Sequence, residues 1–177
     1  MNTSDESLAL AAAGGDRNAF GLLIARLHDR IFRLAFRLTG SRADAEDLTQ
    51  DICAALPAKL AGFRGDAKVT TWLYRITVNA ARDRMRRQNT YRHKAEGWGD
   101  WEVSRRAAQA ETAERLDWLR FAMDALTPPE LRETVVLILE GLSHAEVAEV
   151  QGISEGTVSW RMSEAKRKLK RMLEAEQ

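Results

Sequence analysis

Residues able to do acid–base or metal chemistry are sparse in this sequence. His28, His93 and His144 are the three histidines, and none has ligand spacing to another or a neighbouring carboxylate cluster. Cys53 is the single cysteine, which excludes an internal disulfide and a cysteine zinc site. It reads as a small buried apolar side chain. No metal, cofactor or catalytic residue is expected, and the chain is not read as an enzyme. What it does carry is charge in blocks. Residues 1–61 have seven basic and eight acidic groups, and residues 62–95 have nine and two. Residues 96–155 have five and thirteen, and residues 156–177 six and three. Two basic segments separated by an acidic one suggest two separate polyanion contacts. Solvated helix faces would give the same composition.

The elements that must position these charges are helices. The chain has 177 residues, 45% hydrophobic and 30% charged, with three prolines and eleven glycines. That is a globular composition with little room for many-stranded, turn-rich folds. No apolar run approaches the ~18 residues of a membrane helix. Asp5 and Glu6 stand where a secretory leader would be basic, so no leader is expected and a reducing cytoplasm suits the chain.

Phe20, Leu23, Ile24, Leu27, Ile31, Leu34 and Leu38 recur at helical spacing. Gly40 ends that helix, and Ser41 with Asp44 opens the next, from about Arg42 to Leu60, with Pro57 expected to bend it or close it early. Residues 62–66 read as a loop, and Val69 to Arg87 as a third helix. On that helix Leu73, Ile76, Thr77, Ala80 and Arg84 face one side, and Thr71, Arg75, Asn79, Arg82 and Arg86 the other. Residues 88–112 lose the pattern and read as a linker. Trp98 and Trp101 within it could dock on a domain or a partner, or form a local clasp.

Periodicity returns with Leu116, Leu119, Met123 and Leu126, stopped by Thr127-Pro128-Pro129. A helix with Leu131, Val135, Ile138, Leu139 and Leu142 on one face follows. Ser143 caps a short helix, Gly152 makes the turn, and Ser154 caps a longer one with Val158, Met162, Ala165, Leu169 and Leu173 inward. A short helix, a tight turn and a basic second helix describe a helix-turn-helix.

Three stretches now resemble a known family. They are Ala45-Glu46-Asp47-Leu48-Thr49-Gln50-Asp51; Phe63-Arg64-Gly65 with Thr71-Trp72-Leu73-Tyr74-Arg75-Ile76 and Asn79; and Leu126 to Arg132 with Glu140 to Ser143 and Gly152 to Val158. They resemble the extracytoplasmic-function sigma factors, a small class of bacterial RNA polymerase subunits. The resemblance implies an all-α chain of two small domains: sigma-two at 1–90, a flexible linker at 91–113, and a helix-turn-helix sigma-four at 114–177. It implies an alternative sigma factor, active in a stress or envelope response. Its expected partners are core RNA polymerase, promoter DNA and an anti-sigma protein, with no membrane insertion.

Roles follow residue by residue. Asp47, Gln50 and Asp51 share one helix face and resemble the polymerase-binding set. Phe63, Arg64, Lys68, Arg75, Asn79, Arg82 and Arg86 resemble the minus-10 recognition and melting set. Asn79 can both donate and accept at a base edge, and the arginines can follow a backbone. Trp72 fits either a core or a DNA-facing place. In the helix-turn-helix, Ser154, Thr157, Trp160, Arg161, Ser163, Glu164, Arg167 and Arg171 are the minus-35 candidates, combining base-edge and phosphate chemistry. Ser159-Trp160-Arg161 and Ser163-Glu164 depart from the family pattern, which implies an unusual or weaker duplex target. A sigma-like decoy that never touches DNA, and a helix-turn-helix repressor with a sensory N-terminal domain, are the competing readings. The first leaves the basic 62–95 segment idle, and the second leaves the Phe63-to-Asn79 signature without a task.

Overall fold

The computed structural model describes residues 4–95, 123 and 125–175. Among the described residues there are seven helices and no strand. They are α1 Asp5–Ala13, α2 Arg17–Thr39, α3 Arg42–Leu60, α4 Val69–Ala95, α5 Pro129–Leu139, α6 His144–Gln151 and α7 Glu155–Ala175. Residues 88–95, expected to begin the linker, are instead helical in α4, and the rest of that expectation, with Trp98 and Trp101, lies outside the described residues, as do Leu116 and Leu119.

Local signals explain most boundaries. Gly40 closes α2 at φ 68°, its N–H bonded to the Phe36 carbonyl, and the Ser41 hydroxyl accepts from the Asp44 N–H to start α3. Leu48, Ile52, Leu56 and Leu60 form the buried stripe of α3. Pro57 sits inside that helix without ending it. Ser143 and Glu146 make a reciprocal capping box on α6, and Gly152 at φ 67° turns the chain into α7. The sequence offered no stripe for α1, yet it forms a helix capped by Ser4 that buries Leu8 and Ala9. α4 also runs past Arg87 to Ala95.

Three faces differ from expectation, each because an element has more or fewer neighbours than an isolated amphipathic helix. On α4, Thr71, placed on the outer face by periodicity, is buried, as are Val78 and Ala81, which it placed on neither face; the helix packs on both α2 and α6. On α5, Leu131, Thr134, Val136 and Leu137 are inward while Leu139 is 58% exposed. That helix is held between α7 and α6 on one side and α2 on the other. On α7, Val158 and Ala165 are buried but Leu173 is exposed. The 21-residue α7 outruns the 11-residue α5 that covers it.

The two helical units therefore do not stand apart. α6 lies on α4 and α5 on α2. One apolar cluster runs from Leu23, Ile31 and Leu34 through Leu73 and Val78 to Val136, Leu137, Val147 and Val158. A smaller cluster of Leu126, Leu131 and Ala165 pins the start of α5 to α7.

Candidate polymerase and nucleic-acid interface

α3 and α4 bound an open groove of about 710 Å3 lined by Asp51, Trp72, Arg75, Asn79, Asp83 and Arg87. On α3, Asp47, Gln50 and Asp51 are all exposed as their helix phase required, and Asp51 lines the groove together with Lys59. Asp47 is not a lone surface acid. Arg84 donates to Asp44 at 2.8 and 3.1 Å and to Asp47 at 3.0 Å. The hydrogen bond to Asp44 leads in raising the Arg84 pKa, with Asp47 adding to it. Asp51 has no such partner among the described residues, and with Lys59 it gives the α3 side of the groove one acid and one base beside a mostly cationic α4 wall.

Asn79 is exposed on that wall and makes no hydrogen bond among the described residues. Arg64 and Arg86 are exposed, the latter 3.7 Å from Asp83. Phe63 is the correction here. It is only 7% exposed and packs edge-on against Trp72, ring centroids 5.3 Å apart at 60°. Its ring anchors the loop and is not offered to a base. Trp72 is half-buried, packed against Phe63 with part of its surface lining the groove. The loop is pinned from below as well. Gly65 takes φ 78°, a left-handed backbone conformation that L side chains rarely adopt, and a Cβ there would lie in ordinary van der Waals range of Leu10 of α1.

The remaining cations of the minus-10 set are already engaged. Lys68 reaches the Glu146 carboxylate at 2.8 Å, and Arg75 reaches that of Glu149 at 3.1 Å. Arg82 donates in a fork to Glu133, at 2.8 and 3.1 Å from Nε and 2.5 Å from Nη2. Arg37 and Arg33 of α2 bind Glu140, and the Tyr74 hydroxyl donates to it at 3.4 Å. The Glu133 and Glu140 carboxylates are each 4% exposed. The Glu133 hydrogen bond is the main reason the Arg82 pKa is raised. Burial, then Glu140, pushes the Tyr74 phenol up. The Lys68 hydrogen bond, with two from Ser143, lowers the Glu146 carboxyl to about 2.

Sequence reasoning missed all four carboxylates. No local pattern marked them: even Glu133, whose inward carboxylate demands a partner, stands between Arg132 and Thr134 ahead of the apolar run of α5. Only tertiary packing supplies the identity of that partner, 51 residues away.

The second surface is α7. Trp160 is 63% exposed and Arg171 also faces solvent, as their phase required. Ser154 and Thr157 are spent locally, for the Ser154 hydroxyl accepts from the Thr157 N–H at 3.1 Å and shares a 2.9 Å bond with its hydroxyl. Ser163 donates to the Ser159 carbonyl at 3.0 Å. Glu164 and Arg167 pair at 2.6 Å, which holds the Glu164 carboxyl below its usual range. Arg161 donates to Gln151 at 3.3 Å. No group of three or more His, Cys, Asp or Glu side chains suited to a metal occurs among the described residues. Burial raises the Cys53 thiol pKa, in line with its apolar reading.

Two family models match the chain, Sigma-70 region 2 over residues 23–91 and Sigma-70, region 4 over residues 116–169. The ECF RNA polymerase sigma factor SigM of Mycobacterium tuberculosis is 37% identical over 172 residues, covering 96% of this chain and 85% of that protein. The sigma factor CnrH of Cupriavidus metallidurans is 35% identical over 184 residues, covering 98% and 96%. A solved structure of CnrH in complex with the cytosolic domain of CnrY matches with a TM-score of 0.76 at 29% identity, covering 98% of this chain and 99% of that one. No described helix is long and apolar enough to cross a membrane. With relatives matched over most of their length, both region models and a fold that places a groove with a cationic wall and a helix-turn-helix in one chain, the protein belongs to the extracytoplasmic-function RNA polymerase sigma factors, transcription initiation factors that direct the polymerase to promoters.

Proposed function

We propose that this sigma factor binds core RNA polymerase through the Asp47, Gln50 and Asp51 face of α3 and captures melted minus-10 DNA in the adjoining α3–α4 groove. Asn79 meets an unstacked base, and Arg64, Lys68, Arg75, Arg82 and Arg86 follow the backbone. Phe63 and Trp72 hold the loop that shapes the groove. Residues 1–90 and 114–177 act as the two promoter-reading domains. α7 enters the major groove of the minus-35 element with Trp160 at the bases and Arg161, Arg167 and Arg171 at the phosphates. The protein works in the cytoplasm and is held inactive by an anti-sigma partner, a proposal supported by the CnrH structure, in which CnrH is bound by CnrY.

The observation that carries this reading is the place of Asn79. It is an exposed, unengaged amide on a cationic wall, beside an aromatic, within a groove whose opposite side carries Asp51 and Lys59. A base extruded from a duplex needs an edge partner and a stacking surface to offset a few kcal/mol of lost stacking. Mixing the chain with core polymerase and mapping transcripts on genomic DNA tests the function directly. Discrete start sites that vanish without the chain are expected. Transcripts indifferent to the chain would overturn it.

A further inference from the structure

The basic face assigned above to melted DNA is already occupied by the protein itself. Among the described residues, five ion pairs across the seam between the two units take their acid from α5, α6 or the turn joining them, and their base from α2, α4 or the loop before α4. The pairs are Glu133 with Arg82, Glu140 with Arg33 and Arg37, Glu146 with Lys68 and Glu149 with Arg75. Three of these cations, Lys68, Arg75 and Arg82, are among those given to the DNA backbone. A carboxylate and a phosphodiester ask the same thing of an arginine, a charged acceptor with two oxygens in its plane. One guanidinium fork cannot serve both at once.

The seam also reaches the other DNA-directed element. Glu133 accepts from the Gln151 amide at 3.3 Å, and the Gln151 oxygen accepts from Thr134 at 2.9 Å and from Arg161 of α7 at 3.3 Å. Arg82 of the groove side and Arg161 of the recognition helix thus hang on one buried polar chain. Glu133 and Glu140 make the buried part of the seam, while the Lys68–Glu146 and Arg75–Glu149 pairs are exposed and contribute little. A buried pair contributes little net energy when formed, but either partner left buried alone is expensive. Partial opening is disfavoured, and full opening rehydrates both sides. The contact is not seamless either, for a cavity of about 100 Å3 lined by Leu38, Ala81, Leu126, Arg132 and Glu133 lies within it.

We infer that the carboxylates Glu133, Glu140, Glu146 and Glu149 form an internal polyanion that latches the helix-turn-helix unit over the minus-10 face, so that the free chain is self-masked until core polymerase parts the units and DNA phosphates replace the carboxylates. The inference rests on the proposed DNA role of Lys68, Arg75 and Arg82. It explains the use of the acidic block, which a purely DNA-binding account leaves idle.

Two full-length variants test it from opposite sides. One combines Glu133→Gln, Glu140→Gln and Glu149→Gln, and so removes negative charge. The other combines Arg33→Gln and Arg37→Gln, which removes positive charge and touches no residue assigned to DNA. Circular dichroism checks helical content, small-angle scattering reads compactness, and a short fluorescein-labelled thymidine strand reads binding without polymerase. The latch predicts that both variants expand and that both bind the strand several-fold more tightly than wild type. If affinity instead follows net charge, rising in the first variant and falling in the second, the latch is overturned. Unchanged compactness in both also overturns it. Expansion with no gain in binding would keep the closure but remove the masking, and would mark the DNA assignment of this face as the failed step. Core-dependent transcription by Arg75→Ala and Asn79→Ala variants separates that case independently.

Discussion

α4 and α7 are both long, both basic and both given to nucleic acid in the proposed function, yet their cations are engaged in different ways. On α4 and the loop before it, Lys68, Arg75 and Arg82 bond to carboxylates of the other unit. On α7, Arg167 bonds within its own helix, while Trp160 and Arg171 face solvent. The pairs made by Lys68, Arg75 and Arg82 depend on the closed arrangement. The pair on α7 survives any movement of one unit against the other. Charge counted along a sequence is therefore not charge free to bind, and the difference lies in which residues tertiary structure brings opposite.

The largest effect expected concerns the packing that makes this difference possible. Leu137 is fully buried on α5 and Leu139, two residues on, is 58% exposed. Leu137→Ala should destabilise the chain by about 2–5 kcal/mol through lost burial and a residual cavity. Leu139→Ala should stay within about 0.5 kcal/mol, as surface substitutions do. Urea unfolding followed by circular dichroism measures both. Equal losses would mean that α5 is not gripped on the two sides described, and the covered character of the α4 face would go with it.

That pair of leucines also marks how far the sequence could be read. Helix positions, caps and the α2 and α3 stripes were legible because each depends on residues within a few positions, such as Gly40, Ser41 and the Ser143–Glu146 box. The outward placing of Trp160 and of Asp47, Gln50 and Asp51 was legible for the same reason, since helix phase alone decides it. The inward face of α5 was not, because two neighbours on opposite sides replace the single apolar stripe that periodicity assumes. The burial of Phe63 was missed because a loop has no phase to read. The seam was visible only as an acidic block following a basic one. Their meeting depends on how α5 and α6 fold back over α2 and α4, which no local pattern encodes.

Next in size is Asn79, an exposed polar residue of the groove wall whose side chain has no hydrogen bond among the described residues. With core polymerase present, Asn79→Ala should weaken open-complex formation by about 2 kcal/mol, roughly thirtyfold, with initial duplex binding little changed. Permanganate reactivity of promoter thymines reads this step. A pre-melted bubble should not restore the variant fully, because the captured base still lacks its partner. Normal melting would move base capture to another residue of the groove.

The open face of α7 calls for a selectivity measurement. Trp160→Ala should alter discrimination at one base pair of the minus-35 element by on the order of 1–3 kcal/mol, and leave the melting temperature unchanged. Arg171→Ala should weaken all sequences about equally, as a phosphate contact does. Transcription from a panel of minus-35 variants compares the two. A uniform loss from Trp160→Ala would leave that ring without a base to read and make α7 a phosphate-binding helix only.

The smallest effect expected separates the seam from α7 by acidity. The Glu146 carboxyl is lowered from 4.5 to about 2, first by the Lys68 hydrogen bond and then by those from Ser143. A carboxyl with a depressed folded pKa contributes stability that is fully present above 4.5 and is lost as pH falls toward 2. Lys68 shifts in the complementary direction, upward, so its own contribution is constant throughout the acidic range. The stability difference between wild type and Lys68→Ala should accordingly be steady near neutral pH, shrink below 4.5 and vanish near 2. The capping-box part of the Glu146 shift persists in the variant, because Ser143 belongs to the same unit and remains in place. A difference that holds constant from neutral pH down to 3 would show that Lys68 stabilises the chain by packing its aliphatic stem rather than by bridging the units. The Glu164–Arg167 pair offers the control: Arg167→Ala should show a similar acid-dependent difference in stability but no change in compactness, because both partners lie on α7.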